Sequence, residues 1–236
     1  LHHRGRSPAA IGLYDRLIER HRSEGNLDAL SDCLGLLGLM LRESGEQERS
    51  MACLEEQERL CRETGDLVGL ARSLGDQAVI YYERGETGRA LLLYDAVERM
   101  CEQTGDTHAL TCCLGERALA LAAAGEHQQA RPLLARAERR WRAIGHRRGL
   151  AVNLQNQGLL ARGLGDLPGA MRKHQEAEEL WRGLGDERGV AGCLVNQAVI
   201  RRDTGDLDGA EAQLREAEAI ARRVRDVPSL LASLRN

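Results

Sequence analysis

A fixed period of forty residues constrains this chain more than any other feature of it. Blocks open at Gly25, Gly65, Gly105, Gly145 and Gly185, and a second glycine stands midway through each, at Gly45, Gly85, Gly125, Gly165 and Gly205. A unit of this length cannot bury its apolar face alone, so successive units must stack as a solenoid. The joints read Gly165-Asp166, Gly185-Asp186 and Gly205-Asp206, with the same pair at Gly65 and Gly105 and a glutamate after Gly45, Gly85 and Gly125. Glycine takes the left-handed position that ends one helix, and the acid caps the next. Between joints the apolar residues keep helical spacing: Leu74, Ala78 and Tyr81 in a first segment, Ala130, Leu134, Ala137 and Trp141 in a second. No stretch alternates with period two. The expected fold is all-α, a single array over 1–236 made of a half-repeat 1–24, full repeats 25–64, 65–104, 105–144, 145–184 and 185–224, and a partial repeat 225–236. Gly5 and Leu234 align with internal positions, so both ends cut a unit, as an excerpt of a longer solenoid would. Apolar faces bared at such cuts would promote self-association.

Composition narrows the function. Aromatic residues are 3% of the chain and phenylalanine is absent, so the core must be built from leucine, alanine and other small side chains. That suits close helix packing. A net charge of −3 gives no general attraction to nucleic acid or anionic membrane, and no apolar run approaches the roughly 20 residues that span a bilayer. Seven cysteines form no CxxC pair. Cys33, Cys113 and Cys193 share one repeat position, and with helices about 8–10 Å apart they stand tens of ångströms from one another, too far to share a metal. Cys61 and Cys101 are likewise too far apart for a disulfide. Small buried thiols in a reducing cytoplasm are the expectation.

The spacing Leu74, Ala78, Tyr81, Ala90, Val97, repeated as Leu154, Gly158, Ala161, Ala170, Ala177, resembles the tetratricopeptide repeat. The forty-residue version is similar to the repeats of kinesin light chain, Pins-type polarity adaptors and the sensor arms of bacterial signalling ATPases. The resemblance covers essentially the whole chain. It implies a right-handed α-solenoid of antiparallel helix pairs that binds a protein or peptide segment in its concave groove, without enzymatic activity and without a cofactor. A sensor or regulatory arm of a larger signalling ATPase or transcription regulator is the alternative function, and a helical-repeat enzyme a more distant one.

Polar residues at inward-looking positions ask for an explanation. Glu58, Glu98, Glu138, Glu178 and Glu218 occupy one position, and Gln77, Arg117, Gln157 and Gln197 another; both usually hold leucine in the resembled family. One expectation is a partly buried ladder in which these glutamines and Arg117 bond the glutamates of the same or the adjacent repeat, because a buried carboxylate without partners costs several kcal/mol. The other is a solvated face held by pairs such as Glu58–Arg62 and Glu178–Arg182. His174 stands where Leu134 and Leu214 stand and reads as a satisfied core histidine; no second ligand sits at metal spacing. His2 and His3 read as a frayed end. Trp141 and Trp181 read as core packed on the next repeat. The arginines at 136, 139, 140, 142, 147 and 148 interleave with Glu138 and lack a stacking platform, so a solvated surface is expected there and not an RNA site. No phosphate loop, nucleophile elbow or catalytic constellation is present.

Family geometry aims one further helical face into the groove. In the fourth block it carries Val152, Gln155, Asn156, Leu159 and Arg162, and in the fifth Gly192, Val195, Asn196, Val199 and Arg202. Asparagine offers donor and acceptor to a peptide backbone and arginine a fork to a carboxylate; in related repeats asparagine here commonly holds an extended peptide. Val152 and Gly192 replace the basic residue of a carboxylate clamp, so chaperone tails are not expected. Asp76 and Glu116 stand in for the asparagines in earlier blocks, and Arg42 and Tyr82 take the Arg162 position. The groove is expected to be acidic in its middle and more basic toward the C-terminal blocks.

Overall fold

The computed structural model describes residues 8–224. Its helices are α1 (Pro8–Glu24), α2 (Leu27–Glu43), α3 (Gln47–Thr64), α4 (Leu67–Glu83), α5 (Thr87–Thr104), α6 (Thr107–Ala123), α7 (His127–Ala143), α8 (Arg147–Gly163), α9 (Leu167–Gly183), α10 (Glu187–Asp203) and α11 (Leu207–Arg223). The described residues hold no strand. The positions read at Gly5, at His2 and His3, and from Val227 to Asn236 lie outside the described residues.

The joints follow from glycine chemistry. All ten joint glycines take φ between +67° and +86°, a region that costs other residues energy. After the block-opening joints, Asn26, Asp66, Asp106, His146 and Asp186 each accept a backbone N–H of the following first turn. Asp166 and Asp206 do the same after the mid-block joints. The glutamates were expected to cap as well, and they do not: Glu46, Glu86 and Glu126 make no side-chain cap bond. Their longer arm carries the carboxylate past the first-turn amides to a first-turn side chain, where Glu46 meets Arg49 and Glu86 meets Arg89, both at 2.7 Å.

The chain divides into two compact units, Leu1–Ala124 and Gly125–Asn236. In the first, α2, α4 and α6 touch in succession while α1, α3 and α5 touch only the first helices beside them. In the second, α8 touches α10, and no contact joins α7 to α9 or α9 to α11 among the described residues. First helices therefore line the inside of the curve within each unit and second helices the outside. Small residues let each second helix lie close against the first helices beside it. Ala90, Ala130, Ala170 and Ala177 are fully buried, and Ala210 is 6% exposed. A leucine at Ala170 would force neighbouring helices apart, and Ala170→Leu should cost roughly 1–3 kcal/mol. Urea melts of variant and parent measure it; coincident curves would show the packing face to be misplaced.

The polar ladder forms, one rung between each second helix and the first helix of the next repeat. Gln77 donates to Glu58 at 2.7 Å, Gln157 to Glu138 at 2.7 Å, Gln197 to Glu178 at 2.5 Å, and Arg117 to Glu98 at 2.6 Å. The solvated pairs form too, on the other carboxylate oxygen. Glu58, Glu138 and Glu178 use Oε1 for Arg62, Arg142 and Arg182 and keep Oε2 for the glutamine. The two expectations are thus one arrangement seen from its wet and dry sides. At the rung before Glu58 the positions hold Ile18 and Leu37, and both join the apolar cluster with Leu30, Leu34 and Leu41. Both members change together, because a lone carboxylate or a lone amide there would be buried without a partner.

The cysteines also find a role in packing. Cys113 donates its thiol to the Tyr94 carbonyl at 3.4 Å, at the repeat position where Ser73 reaches the Leu54 carbonyl at 2.7 Å and Asn153 the Leu134 carbonyl at 3.0 Å. All seven thiols are free. No helix of the described residues is long and apolar enough to cross a membrane.

Candidate groove faces

In the second unit, α8 and α10 place Asn156 and Asn196 one repeat apart on touching helices. Both are half-buried, and neither amide makes a side-chain hydrogen bond to any described residue. Leu159 is 43% exposed and Val152 45%. Arg162, Gly192 and Val199 are half-buried. Arg202 lies mostly in solvent beside Asp203, at 3.2 Å.

Two of the expected groove residues are used otherwise. Val195 is 3% exposed and belongs to the core. Gln155 accepts a hydrogen bond from the Trp181 indole at 3.0 Å, so its amide is committed to holding α8 against α9. The tryptophans are core, as expected. Trp141 and Trp181 are 5% and 4% exposed, and a Cβ at Gly149 or Gly189 would stand 2.7 or 2.3 Å from their rings. The paired choice of tryptophan and glycine makes room for the larger side chain.

His174 is buried as expected but is not satisfied. It is fully enclosed, packs against Gly158, and neither ring nitrogen has a hydrogen-bond partner among the described residues. Burial, with Arg162 adding its charge, lowers its pKa to about 4, so the ring is neutral at ordinary pH. Within the arginine-rich stretch, Arg142 bonds Glu138 and Glu176, and Arg148 bonds Asp186 at 2.7 Å while lying over the Trp181 ring. No group of three metal-ligating side chains occurs among the described residues.

In the first unit the face carries Arg42 on α2, Asp76 and Tyr82 on α4, and Glu116 on α6. Asp76 and Glu116 line one cleft. Burial pushes Glu116 up to about 7, with the charge of Asp76 adding to the shift and Arg42 opposing it. Solvent reaches the Glu116 side chain, but the walls of the concavity replace much of its hydration with low-dielectric protein. Asp76 is raised by the same cause and is held back by Arg42 and Arg72. Sequence reasoning missed Tyr94 and Gly75 in this cleft. A slide by two repeats carried the signal, setting Gly75 against Gln155 and Cys101 against Trp181.

No protein-family model and no curated protein sequence matches the chain. Solved structures do. BtubC (BKLC) from P. vanneervenii aligns at 17% identity with a TM-score of 0.78, over 91% of this chain and 91% of that one. The Rap conjugation gene regulator of plasmid pLS20, in complex with the Phr* peptide, aligns at 15% identity with a TM-score of 0.73, over 87% of this chain and 57% of that one. A Signal Transduction ATPase with Numerous Domains from Pyrococcus horikoshii, which carries a tetratricopeptide repeat sensor, aligns at 14% identity with a TM-score of 0.68, over 82% of this chain and 30% of that one. The chain thus spans little more than half of the Rap regulator and under a third of the ATPase. Identities this low establish architecture only: the fold is that of the tetratricopeptide-like helical repeats, all-α and built from stacked antiparallel helix pairs.

Proposed function

We propose that this chain is a protein-interaction scaffold that holds an extended peptide segment on the face of its first helices. The observation that carries the reading is the pair Asn156 and Asn196, in register on touching helices, half-buried and with side-chain amides that bond no described residue. Each amide offers two donors and an acceptor, the complement of a peptide unit. Repeat spacing sets the distance between them, so the pair suits an extended backbone better than a compact ligand. The likeness to a Rap regulator in complex with the Phr* peptide supports the same reading. The likeness to the P. horikoshii sensor favours a second one, in which the same face serves as the sensing arm of a larger signalling protein; the full-length reading frame separates the two.

The test begins with a partner isolated by pull-down and mapped to a binding segment. Affinity for that segment should fall by roughly 1–3 kcal/mol in the Asn156→Ala, Asn196→Ala double variant, about five- to 150-fold in Kd. The helical circular dichroism should stay as in the parent, because neither amide holds the fold together. Unchanged affinity would show that the partner binds elsewhere.

A further inference from the structure

The cleft between α4 and α6, floored by α5, is open for a reason written in the repeats. Gly75, Asp76, Tyr94, Cys101, Cys112 and Glu116 are among its lining residues, and its volume is about 180 Å³. That lies below the roughly 300–1,000 Å³ of small-molecule sites and matches the bulk of one side chain. Two repeats on, the corresponding positions hold Gln155 and Trp181, whose hydrogen bond fills the same space. Here a thiol replaces the indole, and a Cβ added at Gly75 would meet nothing within 4 Å.

The charges facing this space are incomplete. Asp76 and Glu116 form no ion pair with any described residue, whereas the ladder glutamates 58, 98, 138 and 178 all do. The arginines that face them are engaged elsewhere: Arg42 with Glu83 at 3.9 Å, and Arg72 with Asp32 at 3.5 Å. Asp106, also in the lining, is occupied in capping α6. Tyr94 supplies an independent observation. It is 1% exposed and lines the cleft, yet its phenol bonds no described residue. Burial and the neighbouring Glu116 charge raise its pKa, so it stays a neutral hydroxyl able to donate or accept. Two unpaired carboxylates and a free hydroxyl around a space of side-chain size are the complement of an ammonium or guanidinium on an unbranched chain.

Building on the peptide-binding reading above, we propose that this cleft receives a basic side chain of the partner peptide. The arginine or lysine charge meets Asp76 and Glu116, and its methylenes run past Gly75 toward Tyr94.

The experiment titrates the whole chain with capped single residues and follows backbone amide shifts. N-acetyl-arginine methylamide and N-acetyl-lysine methylamide should give saturable shifts at Gly75 and Glu116, and N-acetyl-norleucine methylamide none. Asp76→Asn with Glu116→Gln should weaken binding at least about fivefold. Gly75→Gln, which places the glutamine half of the second unit's plug on a helix with room for it, should weaken binding at least about fivefold without touching a charge. Affinity should also rise between pH 6 and pH 8 as Glu116 ionises against Arg42, Arg72, Asp76, Tyr82 and Tyr94. Equal shifts with norleucine, or shifts that persist in both variants, overturn the proposal. Cadaverine binding as tightly as capped lysine overturns it in favour of a free-amine site. The Asn156→Ala, Asn196→Ala variant should bind the capped residues unchanged, so failure of the asparagine contacts and failure of this cleft appear in different measurements.

Discussion

Gln197→Leu should destabilise the protein by about 1–3 kcal/mol, and Glu178→Leu by a similar amount, while the double variant Glu178→Leu, Gln197→Leu should return to within about 1 kcal/mol of the parent. Burial sets the size of each effect. Glu178 and Gln197 are 7% and 2% exposed and bond at 2.5 Å, with Gln197 also accepting from Gln213 at 2.7 Å. Removing the amide leaves one carboxylate oxygen dry and unpartnered. Removing the carboxylate strands the amide in the same way. Arg182 changes little in either case, since it is half-exposed and also bonds Glu216. Removing both restores what the first rung already has, Ile18 packed with Leu37 in an apolar cluster. Urea unfolding of the four proteins closes the cycle. Additive single effects would mean the rung is not a coupled unit.

Acid should unfold this protein through His174. The neutral ring is held at a pKa of about 4 by burial and by Arg162, whereas in the unfolded chain it titrates near 6.5. Between those values the unfolded state binds a proton that the folded state refuses, so stability rises with pH through that window and is lost as pH falls from 6.5 toward 4. The loss from this one residue approaches roughly 3 kcal/mol at the acid end. His174→Leu installs the residue found at 134 and 214 and removes the titration. Melting temperatures measured from pH 7 to pH 4 should therefore diverge, with the parent falling further than the variant. Parallel curves would show that His174 charges without cost in the fold.

The two predictions draw on different kinds of information. The rung was legible before any coordinates, because Glu178 and Gln197 recur with the period and change character together in every block that holds them. Repetition also exposed the glycine joints, both helices of each unit and the buried tryptophans. These are properties of local backbone and of a pattern copied five times, and a single period reveals them. The glutamate joints departed from expectation for a local reason as well: one methylene more than aspartate moves the carboxylate beyond the first-turn amides to the side chain three residues on, Arg49, Arg89 or Gln129.

What the tertiary structure decided concerns volumes and partners on neighbouring helices. His174 was expected to find a hydrogen bond, but Gly158 opens space that the ring fills with no polar atom within reach. Val195 and Gln155 share a helical face with the free asparagines, yet one is sealed into the core and the other is drawn to Trp181. Gly75 sits at the Gln155 position with nothing against it, and an open cleft results. Periodicity determines which way a residue points. Whether it meets solvent, a partner or empty space depends on the size of residues twenty to forty positions away, and only the packed helices set those side by side.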